Sequence, residues 1–250
     1  LVDAPHSKCG TFGFVGSSPT APTSLMKTYQ RFPLELIKGK GSWVWDKKGV
    51  KYLDAVAGIA TCSLGHSDKA LIKSLSKQLR KLQHVSNLYG IPEQEELAQW
   101  LTSNSFAKSA FFCNSGAEAN EAAIKLARKY GHIERNIDNP IILSSKESFH
   151  GRTLAAVSAT GQQKYHKGFE PMVQGFKFFS YNDNNSFENL FDDLEKTGPK
   201  IAAVLVEPIQ GEGGINIGKK SFFELIREKC TRSDVLLIFD EVQTGMGRTG

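Results

Sequence analysis

The sequence predicts an α/β fold, a mostly parallel sheet covered by helices on both faces. Two observations carry this. From about residue 110 onward, short and continuously apolar runs alternate with longer helical ones, as strands buried on both faces must alternate with crossover helices. The segments that follow those strands, NSGAEAN, SFHGR, EPIQGEGG and DEVQTG, concentrate small, acidic, aromatic and basic residues. Open α/β sheets bind ligands beyond the carboxyl ends of their strands.

The elements follow in order. Residues 1–25 read as a leader rich in Ser, Thr, Gly and Pro, with Asp3 as the one acidic residue and no apolar core for secretion. Low acidity with abundant hydroxyls points to an organellar transit peptide, although the usual arginines are lacking. The chain begins at Leu1 rather than Met, which suggests a piece of a longer protein. SWVWDKKGVKYLD alternates around a Lys-Lys-Gly turn and predicts a hairpin. Ser67 is placed to cap a helix carrying Leu71, Leu75, Leu79 and Leu82 on one stripe. Pro92 suits the first turn of a second helix, PEQEELAQWL. AFFCN, IILSS, FKFFS, IAAVLVEP and VLLIFD are the expected strands. GAEANEAAIKLARKYG, GRTLAAVSATG, SFENLFDDLEKTG and SFFELIREKC are the helices between them.

Bulk properties exclude several classes. The 250 residues carry a net charge of +5, with lysines spread along helices instead of gathered in one block, so no nucleic-acid surface is expected. No apolar run approaches the roughly 18 residues of a membrane span. Cys9, Cys62, Cys113 and Cys230 are far apart and lack zinc spacing, so no metal site is expected. Cys62, Cys113 and Cys230 read as reduced, buried packing residues, and His66, His84 and His166 as structural.

The strand ends hold the chemistry. Ser115, Gly116 and Ala117 stand where a helix start can hold a phosphate, or form a tight turn with a serine cap. Phe149 could stack on a flat ring or pack in the core; Arg152 could grip a carboxylate or remain a solvated charge. His150, between them, is ambiguous. Glu207 ends an apolar strand and Glu212 sits in a glycine-rich loop, in a structural ion pair or near a ligand. Asp240 follows five apolar residues, and a carboxylate at that depth needs a cation or a ligand nitrogen. GMGRTG matches the dinucleotide fingerprint G-x-G-x-x-G, but five residues separate it from the strand and four strand-helix units precede it, so that reading is rejected. A flat cofactor with a phosphate and a ring nitrogen fits all four segments, and pyridoxal phosphate has that anatomy.

The stretches TYQRFP, WDKKGVKYLDAVAGIATCSLGH, HVSNLYGIPEQEELA, FFCNSGAEANEAAIKLARKYG, FHGRTLAAVSATGQQKYHKGFEP, VEPIQGEGGI and IFDEVQTGMGRTG together resemble the class III, fold-type I PLP-dependent aminotransferases, in particular their acetylornithine branch. The resemblance implies a large domain with a mostly parallel mixed sheet at 91–250, incomplete at its C-terminal side. It also implies the N-terminal part of a small domain, with lead-in helices, at 26–90. Pyridoxal 5'-phosphate would be held by Ser115, Gly116 and Ala117 at its phosphate, with Phe149 on the ring and Asp240 on the ring nitrogen. Gln243 would lie by the phenolic oxygen and Glu207 close by. Arg152 would bind the substrate's α-carboxylate, Tyr29 would touch substrate, and Glu212 would gate which substrate end enters.

The implied reaction moves the terminal amino group of N-acetyl-L-ornithine to 2-oxoglutarate, giving glutamate, in arginine biosynthesis. The resemblance places the family's Schiff-base lysine well downstream of the Asp240 motif, beyond Gly250; no lysine follows Lys229, and by itself this chain is expected to be inactive. Ornithine δ-aminotransferase and glutamate-1-semialdehyde aminomutase are the rivals within the family. A non-catalytic protein that kept the sheet is the rival outside it. A homodimer is implied by the family, and a plastid, with mitochondria second, by the leader.

Overall fold

The computed structural model describes residues 24–26, 28–197 and 200–249. Residues 1–23 of the expected leader lie outside the described residues. The chain divides into two compact units, Leu1–Glu96 and Leu97–Gly250, a boundary inside a helix and six residues beyond the expected 90.

In the first unit, β1 (Leu36–Lys40), β2 (Trp43–Asp46) and β3 (Lys51–Leu53) form an antiparallel sheet in that order. The hairpin is held by Asp46, whose carboxylate accepts from the Lys48 and Val50 amides at 2.9 and 2.8 Å and from the Tyr52 hydroxyl at 3.0 Å. A single distorted turn, α1 (Ala57–Ala60), precedes α2 (Lys69–Leu79). The cap of α2 is Asp68, not Ser67: Asp68 accepts from the Leu71 amide, while Ser67 has a positive φ and donates to the Gly39 carbonyl. An Asp one residue nearer the helix outcompetes the hydroxyl for the orphan amides. Helix α3 (Pro92–Ser103) begins with Pro92, as expected.

The second unit holds α4 (Gly116–Ile133), β4 (Ile141–Ser145), α5 (Leu154–Ala159), β5 (Phe176–Phe179), α6 (Asn184–Thr197), β6 (Ile201–Val206), the short pair β7 (Ile209–Gln210) and β8 (Asn216–Ile217), α7 (Lys220–Arg232) and β9 (Leu236–Phe239). Strands β5, β4, β6 and β9 lie side by side in that order, all parallel. Every residue of β4 and β6 is buried, which explains the unbroken apolar run of β6 and the apolar start of β4, whose buried Ser144 and Ser145 find hydrogen-bond partners.

Successive side chains of a strand point to opposite faces. Ile141, Leu143, Val204 and Val206 pack on one face with Phe179, Phe187, Phe191, Phe222 and Ile226. Ile142, Ala203 and Leu205 face the other way, against Ile124, Ala127 and Ala159. One side is thus filled with aromatic rings and the other with alanines, which let α4 approach closely. Lys229 is buried on α7 and tied to α6 by Asp192 at 2.7 Å and Glu188 at 2.9 Å, a structural pair remote in role from any cofactor chemistry.

Two further expectations fail. AFFCN forms no strand: Phe111 is 73 % exposed and the segment finds no ladder partner among the described residues. An apolar run becomes a strand only where a neighbour supplies its hydrogen bonds. Cys113, in the same segment, is exposed and Cys62 partly so; Cys230 alone of the three is a buried packing residue. Among the described residues, no helix is long and apolar enough to cross a membrane.

Candidate active site

Strand β4 leads to β5 on one side of the sheet, and β6 leads to β9 on the other. The connections therefore part between β4 and β6, and a crevice opens at the carboxyl ends of those strands. Glycines let the surrounding segments close on it. A Cβ on Gly116 would lie 2.6 Å from the Val242 side chain, and one on Gly213 would lie 2.3 Å from the Glu147 carbonyl oxygen. The α4 start, the loop after β4, the loop after β6 and the loop after β9 thus converge.

Asp240 lies at the floor of this arrangement, 7 % exposed. One carboxylate oxygen meets His150 Nδ1 at 2.7 Å and accepts from Asn120 Nδ2 at 2.8 Å; the other accepts from the Val242 amide at 3.1 Å. His150 is itself buried, and its Nε2 lies 3.2 Å from Ser144 Oγ, which contacts Ser148 Oγ at the same distance. Burial by itself would raise the Asp240 pKa, but the hydrogen bond and charge of His150, with the Val242 amide and Asn120, outweigh it and hold the carboxyl below its ordinary value. Asp240 is a fixed negative charge.

Glu207 behaves oppositely. Burial pushes its carboxyl up to about 8; the Phe149 amide, donating at 3.1 Å, works against this, while the charges of Asp240 and Glu212 add to the rise. Two acids in one crevice are thus set to different protonation states by their surroundings. The stability this group contributes is complete below the ordinary value of 4.5, declines as pH rises above it, and is lost once pH passes about 8. Glu207→Gln, neutral at every pH, should flatten that decline. Thermal midpoints measured between about pH 5 and pH 8 would fall less in the variant than in the parent; equal slopes would mean that Glu207 is ionised throughout.

The helix start that faces the crevice is capped by Ser115, whose hydroxyl accepts from the Glu118 amide at 3.2 Å. The backbone ladder of α4 opens with the Ala119 amide donating to the Ser115 carbonyl, so the Gly116 and Ala117 amides lie ahead of it and suit an anion. Phe149 is half-buried and meets Tyr165 edge-on, with centroids 5.4 Å apart. Arg152 lies over the Tyr165 ring at 4.9 Å and over Phe149 at 5.9 Å. Glu212 accepts from the Tyr165 hydroxyl and pairs with Lys164 at 3.6 Å. Gln243 is exposed beside Gly211.

The sequence profile of the family described as aminotransferase class-III matches residues 25–250. The chain belongs to that family. Among curated class-III relatives, the acetylornithine aminotransferase of Prochlorococcus marinus (strain SARG) is 71 % identical over 250 residues, covering all of this chain and 60 % of the relative. That of Thermosynechococcus vestitus is 58 % identical over 90 % of this chain and 55 % of its own length. This class-III chain therefore spans about 60 % of the length of the first of these relatives. Among solved structures, ornithine aminotransferase from Toxoplasma gondii superposes with a TM-score of 0.82 at 32 % identity, over 89 % of this chain and 52 % of that one. N-acetylornithine aminotransferase from Stenotrophomonas maltophilia gives 0.73 at 38 % identity, over 88 % and 54 %.

Within the class-III fold, the crevice gathers Ser115, Gly116, Ala117, Phe149, Glu207, Glu212 and Asp240 on segments that touch one another. Tyr29 belongs to the first unit, where it is 53 % exposed and lines a groove of about 930 Å³ with Arg31, Phe32 and Tyr52. Sequence reasoning missed Asn120 and gave His150 no role. A polar residue on the buried face of α4, four positions after Gly116, was a readable signal for Asn120. The pairing of His150 with Asp240, 90 residues away, had no local signal. Tyr165 was also missed, because a short 3-10 turn (Gln163–Tyr165) leaves no periodic trace.

Proposed function

We propose that the whole protein is a pyridoxal 5'-phosphate-dependent aminotransferase that moves the terminal amino group of N-acetyl-L-ornithine to 2-oxoglutarate, in arginine biosynthesis. One observation carries the cofactor reading: a buried, ionised Asp240, braced by His150 and Asn120, at the carboxyl end of the parallel strand β9. Such a charge suits a protonated ring nitrogen. The residues fit the group at its other end too, where the Gly116 and Ala117 amides would take the phosphate with Ser115 beside them. When bound, pyridoxal phosphate supplies an electron sink for breaking a bond at the carbon next to nitrogen. Asp240 would hold a proton at the ring nitrogen, and Phe149 would cover the ring and exclude water. Gln243 would stand at the phenolic oxygen, with Glu207 adding a neutral acid nearby. Arg152 would orient the substrate by its carboxylate, with Tyr29 and Glu212 touching its remaining length.

The branch rests on identity. The high TM-score to an ornithine aminotransferase reflects a backbone shared across the family, whereas the relatives at 71, 66 and 64 % identity are all acetylornithine aminotransferases. Purified whole protein is to be given N-acetylornithine, ornithine or 4-aminobutyrate, each with 2-oxoglutarate, and glutamate followed. N-acetylornithine should have the highest kcat/KM. A preference for free ornithine moves the protein to the rival branch, and no glutamate from any of the three removes the aminotransferase reading. We also infer a homodimer, and import into a plastid or mitochondrion. The first rests on family habit and the second on leader composition, while the match to a cyanobacterial relative runs through the leader as well.

A further inference from the structure

Four side chains that the proposed reaction leaves partly unexplained meet at one ring. The Tyr165 hydroxyl donates to Glu212 Oε1, and Lys164 Nζ lies 3.6 Å from the same oxygen. The Tyr165 ring lies under the Arg152 guanidinium at 4.9 Å and edge-on to Phe149 at 5.4 Å. Lys164 Nζ is also 4.9 Å from the ring centroid. The Glu212 side chain is 17 % exposed, so its charge is only partly screened by water. Tyr165 is half-buried and sits on the short 3-10 turn Gln163–Tyr165.

We propose that Tyr165 is a specificity-determining positioning residue, whose hydroxyl holds the Glu212 carboxylate while its ring backs the Arg152 guanidinium. The proposal rests on the aminotransferase reading for the identity of the substrates. Its physical content is a division of labour within one side chain. A carboxylate that already accepts a hydroxyl hydrogen and faces a lysine ammonium attracts a further cation less strongly. Glu212 held in this way therefore does not favour a substrate with a free α-ammonium over one whose α-nitrogen is a neutral amide. A guanidinium lying over an aromatic face is restricted in direction without losing its charge, and it presents its N–H fork to a carboxylate. The hydroxyl acts on the substrate's nitrogen end, and the ring on its carboxylate end.

The two functions separate by substitution. In the whole enzyme, Tyr165→Phe keeps the ring and removes the hydroxyl. The ratio of kcat/KM for ornithine to that for N-acetylornithine should rise roughly tenfold, the worth of one hydrogen bond to a charged group, with KM for 2-oxoglutarate little changed. Tyr165→Leu removes both, and should in addition raise KM for 2-oxoglutarate and for the amino donor by about tenfold. A purely structural role would lower the thermal midpoint and move both donors together, leaving their ratio alone. An unchanged ratio in Tyr165→Phe overturns the proposal, as does identical behaviour of the two variants. If Tyr165→Leu does not fold, the ratio in Tyr165→Phe decides. A parent enzyme inactive with every donor would defeat the aminotransferase reading instead, so the two failures are told apart.

Discussion

Asp240→Asn in the whole protein is expected to lower kcat by about 10²–10³-fold, the usual cost of losing one preorganised electrostatic contact in a closed site. The substitution keeps size and shape, so the contacts to His150 at 2.7 Å and to Asn120 at 2.8 Å are replaced by neutral ones in the same place. What disappears is the negative charge that His150 holds against the pull of burial. Without it, a bound ring nitrogen has no reason to keep its proton, and the electron sink weakens. Substrate carboxylates are read at Arg152, on a different segment, so KM for 2-oxoglutarate should change far less than kcat. Steady-state kinetics with absorbance of bound cofactor separates the two effects. A loss smaller than about tenfold would mean that Asp240 is not beneath the reacting ring.

Phe222→Ala should cost stability on the scale of about 3–5 kcal/mol, as expected for emptying a packed aromatic site. Phe222 is fully buried, and its ring lies within 5.5 Å of Tyr181 and Phe223 and 6.1 Å of Phe179. These rings lie between the sheet and helix α7, and they come from β5, the turn after it and α7, which cannot easily close the gap. A shift of roughly 10 °C in the thermal midpoint of the whole protein is the corresponding observation. Phe222→Leu, which keeps most of the volume, should lose much less. A loss below about 1 kcal/mol for the alanine variant would show that the cluster collapses around the void.

The parallel sheet was legible because burial on both faces favours continuous apolar runs, as in IAAVLV and the IIL that opens β4. AFFCN carries the same signal and is not a strand, since the pattern reports burial preference and says nothing of whether a partner exists. Among site residues, Asp240 and the Ser115–Ala117 turn were legible by position alone: an acid at the end of an apolar run, and small residues at a helix start. His150 was not, and its neighbours Phe149 and Arg152 each left two readings open. Its role comes from Asp240, 90 residues later, and a contact of that span leaves no trace in local spacing. The states of Asp240 and Glu207 are likewise tertiary facts. Both follow apolar strands, yet one finds an imidazole and the other a backbone amide and two neighbouring acids.

Asn120 carries a consequence for the size of molecule the crevice can take. It stands one helical turn beyond Gly116 on α4 and donates both to Asp240 and, at 2.8 Å, to the His150 carbonyl. One rigid rod therefore carries the anion-seeking amides at its tip and is pinned to the acid a turn further along. The span between those two ends is set by the rise of a hydrogen-bonded helix, so analogues of the occupant lengthened between those two contacts should bind less well.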